Sequence, residues 1–142
     1  MKPKEGRAPR AAAEAWPPTI VPLEKPFVDA RGSIQPLVET PMKSAMVIFS
    51  KKGAVRANHF HKTDWHYCYV LSGSAEHFQR PAGSSQKPEK FVARAGQMVF
   101  TPPMTEHADR FLEDTVLLVL SRNSRDQNAY EEDVVRTSLI EP

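Results

Sequence analysis

Histidines spaced for a shared site are the feature of this 142-residue sequence that points most clearly to chemistry. His59 and His61 are two residues apart, so they lie on the same face if their segment is a β-strand. His66 follows after a segment long enough for a tight reversal, and His107 comes soon after the proline turn at Pro102. Imidazole is a ligand for Zn, Cu, Fe and Ni. His59 and His61 are therefore suited to holding one metal ion together, although a His-x-His pair alone also occurs in proteins without metal.

Short extended segments surround these histidines. Runs rich in Val, Ile, Phe and Tyr, bounded by Gly, Pro, Ser and Asn, are typical of β-strands. The predicted strands are 33–39, 44–50, 55–58, 66–72, 75–80, 90–94, 97–101, 108–112, 115–121 and 133–139. Only residues 124–133 have a weak helical pattern. Regularly spaced short strands without a long helix predict an all-β sandwich or barrel.

The composition predicts one globular domain preceded by an arm. Hydrophobic residues make up 40% and charged residues 25%, and the net charge of +2 does not suggest a nucleic-acid partner. The longest aliphatic run, 116–120, is far shorter than a membrane helix, so no membrane contact is expected. Residues 1–18 are basic and rich in Ala and Pro, which predicts a flexible or partner-docked arm before a domain at 19–142. Glu14 interrupts any secretory core, so we expect a cytoplasmic location.

Two spaced motifs in the chain resemble those of the cupin superfamily. They read Gly53-x5-His59-x-His61-x4-His66-x6-Gly73 and Gly96-x5-Pro102-x4-His107. The resemblance implies an all-β double-stranded β-helix, the jelly-roll barrel of cupins, and a homodimer. His66 stands where the family usually has Glu, while Met104 and Phe111 replace a Gly and an Asn of the second motif. The last two changes concern loop geometry rather than the ligand positions.

The resemblance also implies a metal centre. The family's four ligand positions are occupied by His59, His61, His66 and His107, so we predict that these bind one divalent ion, Zn, Ni or Fe(II). Four imidazoles either close a tetrahedral site or leave positions open, and the sequence does not choose between the two. His77 lies off the motif and is expected not to be a ligand. Whether His77 or Cys68 lines the pocket stays open.

A second resemblance points to activated sugars. Asp29-Ala30-Arg31-Gly32 resembles the Asp-x-Arg-Gly segment of nucleotide-sugar cupins, which include 3,5-epimerases and 3,4-ketoisomerases. The segment Arg56-Ala57-Asn58-His59-Phe60-His61-Lys62 is similar to the ketoisomerases' Arg-Gly-x-His-Ala-His-Lys. Those isomerases need no metal for proton transfer, whereas this chain has the four metal-spaced histidines. The resemblance implies a nucleotide-sugar or polysaccharide context and a small sugar-derived substrate.

We therefore expect a metal-binding cupin that isomerises or epimerises a sugar-derived carbonyl compound. The metal would polarise a carbonyl oxygen while a base moves a proton. The candidate catalytic residues are His59, His61 and Glu106, and the candidate substrate-binding residues are Arg31, Arg56, Lys62 and Arg110. The alternatives are an Fe(II) or Ni dioxygenase, a non-catalytic metal- or sugar-binding module, and a metal-free acid–base site with a histidine of the pair as base.

Overall fold

The structure is a computed structural model that describes residues 16–142. These residues form eleven strands and one short helix. The elements are β1 (Phe27–Asp29), β2 (Gly32–Ile34), β3 (Ser44–Ser50), β4 (Val55–His61), β5 (His66–Ser72), β6 (Ser74–Pro81), β7 (Glu89–Arg94), β8 (Met98–Thr101), β9 (Thr105–Phe111), β10 (Thr115–Ser121), α1 (Gln127–Asp133) and β11 (Val134–Arg136). None of the described helices has the length and apolar character needed to span a bilayer.

Two antiparallel sheets carry most of the chain. One sheet has the order β3-β10-β5-β8, and the other has the order β11-β4-β9-β6-β7. The hairpin of β1 and β2 forms a separate two-stranded sheet. The prediction of a mostly β fold with a short helix near residues 124–133 is confirmed.

Strand β10 illustrates the alternation that fills the space between the sheets. Its side chains are alternately buried and half-buried, as expected for a strand with one face on the core. Leu117 and Val119 belong to a buried apolar cluster with Val70 of the same sheet and Phe111 of the other. Burial of a side chain of this size contributes roughly 1.5–3 kcal/mol. This cluster joins the two sheets beside the histidines.

The turn between β5 and β6 requires a glycine. Gly73 has φ +93°, and a Cβ added there would collide with Thr115 and with the Asp114 carbonyl. The turn lets β6 start directly after β5 ends, in the other sheet. Gly73 therefore carries the chain from one sheet to the other at the edge of the core.

A bulge in β4 directs the first histidine. Arg56 pairs with Asp109 and His59 pairs with His107, so three steps along β4 match two steps along β9. Ala57 and Asn58 absorb the extra residue with φ values of 70° and 58°. Without the bulge, Arg56 and His59 would point to opposite faces, because their spacing is odd. The bulge lets both side chains line the same cavity.

Most of the predicted arm, residues 1–15, lies outside the described residues. Trp16 packs against Trp65 and Phe100, with ring centroids 5.4 and 5.5 Å apart. The Thr19 carbonyl then accepts a hydrogen bond of 2.8 Å from the Phe100 amide. The described end of the arm thus lies against its own chain.

The strand predicted at 33–39 needs correction. The pairing ends at Ile34, and the partner strand is Phe27–Asp29, which the sequence analysis did not predict. Pro36 has no amide hydrogen for a ladder, which explains why the strand does not continue. Strand β4 also runs to His61 rather than ending at 58.

Candidate functional site

A cavity of about 360 Å³ lies between the two sheets, lined by residues of both. All five histidines reach it, each strand of β4, β5, β6 and β9 supplying at least one. They are His59, His61, His66, His77 and His107. Apolar side chains of the facing sheet complete the wall: Met46, Ile48, Cys68, Val99, Leu117 and Val119. A largely apolar cavity with a few converging polar groups is the usual form of a small-molecule site.

Three of the four predicted metal ligands lie within ligand distance of one another. One ring nitrogen from each of His59, His61 and His107 is within 4.8 Å of the other two. His66 is a neighbour, its ring centroid 5.2 Å from that of His107, but it does not belong to this closely spaced set. The geometry therefore groups three imidazoles and places the fourth beside them.

These imidazoles are neutral at neutral pH. Burial, aided by the charges of His61, Arg125 and Arg136, lowers the pKa of His59 to about 3. Burial is also the main cause that lowers the pKa of His61, His66 and His107. A neutral ring keeps a lone pair, so each is able to accept a proton or bind a metal.

His61 is oriented by a carboxylate that the sequence analysis missed. Its Nδ1 lies 3.3 Å from Oδ2 of Asp133, the last residue of α1. Because Nδ1 faces a carboxylate, it carries the proton, and the lone pair is left on Nε2. Nε2 is buried and has no hydrogen-bond partner within residues 16–142. Nε2 therefore keeps a lone pair, unpartnered among these residues, on a ring that lines the cavity.

Asp133 is itself firmly held. It accepts hydrogen bonds from the Thr63 amide at 2.8 Å, the Thr63 hydroxyl at 2.7 Å and the Asp64 amide at 3.1 Å. Burial alone raises the pKa of Asp133, but these hydrogen bonds outweigh it and keep the pKa below its ordinary value. Strand β11 begins at the next residue and pairs with β4, which brings Asp133 to His61. The contact between Asp133 and His61 depends on this pairing of distant segments, so the sequence alone does not predict it.

His77 differs from the other four histidines. Its Nδ1 lies 2.8 Å from Asp109 Oδ1, and its Nε2 lies 3.0 Å from Gln79 Oε1. The Gln79 amide nitrogen donates to the Thr19 hydroxyl, which fixes the oxygen toward His77. Burial by itself lowers the pKa of His77, but the charge and hydrogen bond of Asp109 outweigh it and raise the pKa. His77 therefore lines the cavity with both ring nitrogens engaged, and the Asp109 carboxylate favours its protonated form.

Tyr130 and Arg125 close one side of the histidine cluster. The Tyr130 ring centroid lies 5.7 Å from that of His61 and 6.3 Å from that of His59. The Arg125 guanidinium lies 5.4 Å from the Tyr130 centroid. Arg125 was not singled out from the sequence, because it sits in a polar loop without a recognisable motif.

Glu106, a predicted catalytic residue, does not line the cavity. It is paired with Arg80 at 3.1 Å. Its neighbour His107 faces the cavity, and strand alternation turns adjacent side chains to opposite faces.

Three substrate-binding candidates also lie away from the cavity. Arg31 is exposed on the β1–β2 hairpin and paired with Asp29 at 2.6 Å. Arg110 donates to the Glu141 carbonyl at 2.7 Å. Lys62 is exposed at the end of β4, and its side chain does not line the cavity. In each case the pleat or the hairpin directs the side chain to the outside of this chain.

Arg56 is the substrate-binding candidate that does line the cavity. Its Nε donates to the Ser50 hydroxyl at 2.7 Å and one terminal nitrogen donates to the Phe49 carbonyl at 3.0 Å. Cys68 lines the cavity too, and burial raises the pKa of its thiol. The open question about Cys68 and His77 is thereby answered for both.

Solved structures with a similar fold include a sugar ketoisomerase, a sugar epimerase and a polysaccharide-assembling protein. QdtA, a sugar 3,4-ketoisomerase from Thermoanaerobacterium thermosaccharolyticum in complex with TDP, has a TM-score of 0.67 and 20% identity, over 80% of this chain and 84% of that one. A dTDP-4-dehydrorhamnose 3,5-epimerase from Sulfolobus tokodaii has a TM-score of 0.62 and 19% identity. The match covers 75% of this chain and 71% of the epimerase. The capsular polysaccharide assembling protein CapF from Staphylococcus aureus has 0.62 and 25%, but the match spans 82% of this chain and only 32% of CapF.

No known family model and no curated protein matches the sequence. The structural likenesses show that the chain shares the fold of these sugar ketoisomerases and epimerases.

Proposed function

We propose that this protein moves a proton beside the carbonyl group of a nucleotide-linked keto sugar, giving an isomer or an epimer. The observation that carries the proposal is the contact of His61 with Asp133, which leaves Nε2, on a ring that lines the cavity, without a partner among the described residues. Structures with this fold include ketoisomerases and an epimerase, one of them in complex with TDP. These names support the choice of substrate class.

His61 is the proposed base. Its Nε2 takes a proton from the carbon next to the carbonyl, and the electron pair of that C–H bond moves to form an enolate. Asp133 holds the imidazole in the correct tautomer and stabilises the imidazolium that results. Protonation of the former carbonyl carbon then gives the isomer, as the adjacent hydroxyl becomes the new carbonyl and its proton passes to the former carbonyl oxygen. Epimerisation needs a donor on the opposite face, and the Tyr130 hydroxyl is the proposed donor.

A metal-dependent enzyme is the second candidate. The residues fit a divalent transition metal, because nitrogens of His59, His61 and His107 converge and the rings are neutral. His66 Nδ1 is a further buried nitrogen with no partner in the described part of the chain. A metal bound here would polarise a carbonyl oxygen as a Lewis acid. His61 Nε2 is unable to bind a metal and act as a base at once, so the two candidates exclude each other.

The test uses turnover of TDP-4-keto-6-deoxyglucose, the ligand of one QdtA structure, together with 4-keto sugars on other nucleotides. We expect His61→Gln and Asp133→Asn to lower kcat, the first by roughly 10²- to 10⁴-fold. Asp126→Asn is the matched control, because it makes the same change on the exposed N-cap of α1. Equal activity in the control and the two site variants would contradict the proposal.

The finer fold and the assembly are proposals as well. We infer a jelly roll from β3 to β10, because successive strands alternate between the two sheets except at the β6–β7 hairpin, which stays in one sheet. The homodimer is supported by exposed apolar side chains on β1, β2 and β3, among them Phe27 and Phe49. Oxygen consumption would reveal the dioxygenase alternative, and ligand binding without turnover would indicate a non-catalytic module.

A further inference from the structure

Arg125 is a nearly buried cation at the cavity that the proposed proton transfer does not yet use. Its side chain is 14% exposed and lines the cavity beside Tyr130. Its Nε donates to Oδ2 of Asp64 at 3.1 Å. Asp64 is 2% exposed and is held in turn by the Asn123 amide at 2.9 Å. The guanidinium is therefore anchored through one nitrogen by a rigid carboxylate.

This anchoring leaves the outer donors of Arg125 available. Within residues 16–142, neither terminal nitrogen of Arg125 makes a hydrogen bond to the protein. The other basic side chains that line the cavity make more hydrogen bonds: Arg56 uses Nε and one terminal nitrogen, and His77 uses both ring nitrogens. Two parallel N–H groups of a guanidinium match the oxygens of a carboxylate, a phosphate or an enediolate.

The position of Arg125 places these donors near the proposed base. Its guanidinium faces the Tyr130 ring, and the same ring is 5.7 Å from that of His61 by centroids. The positive charge of Arg125 also contributes, after burial, to the lowered pKa of His59, His61 and His66.

We infer that Arg125 binds an anionic oxygen of the substrate through its two terminal nitrogens, with Asp64 as its positioning residue. This inference rests on the proposed function. The oxygen has two possible sources: the enolate formed when His61 removes the proton, or a phosphate that the substrate carries. An enolate is bound only as the reaction proceeds, and a phosphate is bound from the start.

The test compares Arg125→Gln and Arg125→Lys with Arg122→Gln. Arg122 lies on the same loop, but it is exposed and its side chain does not line the cavity. Binding is measured by calorimetry on chelator-treated protein with two probes, TDP and oxalate, a small dianion similar in shape to an enediolate. We expect Arg125→Gln to lower the affinity for at least one probe by about 10-fold or more, as expected for the loss of a charge-assisted hydrogen bond. Lysine keeps the positive charge but lacks the two parallel N–H donors of the guanidinium, so the loss of affinity in Arg125→Lys should be intermediate.

The source of the oxygen follows from which probe responds. Weaker oxalate binding with a lower kcat and an unchanged KM identifies the enolate, and weaker TDP binding with a higher KM identifies the phosphate. The inference is overturned if a folded Arg125→Gln variant binds both probes as the Arg122→Gln control does. If the wild type turns over no keto sugar while probe binding still depends on Arg125, the proposed reaction fails and the anion site stands.

Discussion

Acidification should destabilise this protein through its neutral cavity histidines. The pKa of His59 is about 3 in the folded chain and about 6.5 in an unfolded one. Between these two values the unfolded chain binds a proton that the folded chain does not. The free energy of unfolding therefore falls as the pH drops below about 6.5.

The size of the effect follows from the two pKa values. Between about pH 7 and pH 5, proton binding to the unfolded state of His59 alone removes about 2 kcal/mol of stability. His61, His66 and His107 have lowered pKa values as well and act in the same direction. His77 has a raised pKa, so its contribution is fully present at pH 5 and is lost as the pH rises.

Urea unfolding in the presence of a chelator, followed by tryptophan fluorescence, measures this loss at both pH values. His59→Gln should reduce the loss between pH 7 and pH 5 by about 2 kcal/mol relative to wild type. His77→Gln is a control of opposite sign, because the raised pKa of His77 stabilises the folded chain at low pH and its removal should make the loss larger. If His59→Gln has the pH dependence of the wild type, His59 titrates normally and the account of a desolvated, neutral cluster is wrong.

Three further predictions concern the bulge, the metal and the assembly. Ala57→Gly should raise the free energy of unfolding by roughly 0.5–1 kcal/mol, because glycine tolerates the φ of 70° at that position; an unchanged or lower urea midpoint would contradict this. Activity should persist in EDTA if His61 is the base. If the protein instead contains stoichiometric Zn, Ni or Fe(II) and loses activity when the metal is removed, the metal-dependent candidate is favoured. Sedimentation should show a homodimer, with its apolar contact including Phe49, which is 71% exposed in the single chain; a monomer at micromolar concentration would refute it.

The β-strands and the shared face of His59 and His61 could be predicted, because side chains along a β-strand alternate between its two faces with a period of two residues. Strands 44–50, 66–72 and 115–121 begin and end in the structure where the sequence predicts. Glu106 was not excluded in this way, because the strand predicted at 108–112 contains neither Glu106 nor His107. In the structure β9 begins at Thr105, so alternation turns these two neighbours to opposite faces.

The rest of the site depends on contacts between distant parts of the chain. Asp133 reaches His61 only because α1 ends where β11 begins to pair with β4, across 72 residues of sequence. Arg125 reaches the cavity through its ion pair with Asp64, across 61 residues. The bulge at Ala57 and Asn58 has no glycine to mark it. Neither periodicity nor motif spacing contains this information.

Deuterium incorporation tests the central proposal most directly. The protein is incubated with TDP-4-keto-6-deoxyglucose, and with 4-keto sugars on other nucleotides, in deuterated buffer containing EDTA, and the sugars are analysed by NMR. Proton abstraction by His61 predicts that the hydrogen next to the carbonyl is exchanged for deuterium in wild type and in Asp126→Asn. It predicts little or no exchange in His61→Gln. Exchange that is equal in His61→Gln and wild type, or absent from wild type with every sugar tested, would contradict the proposed function.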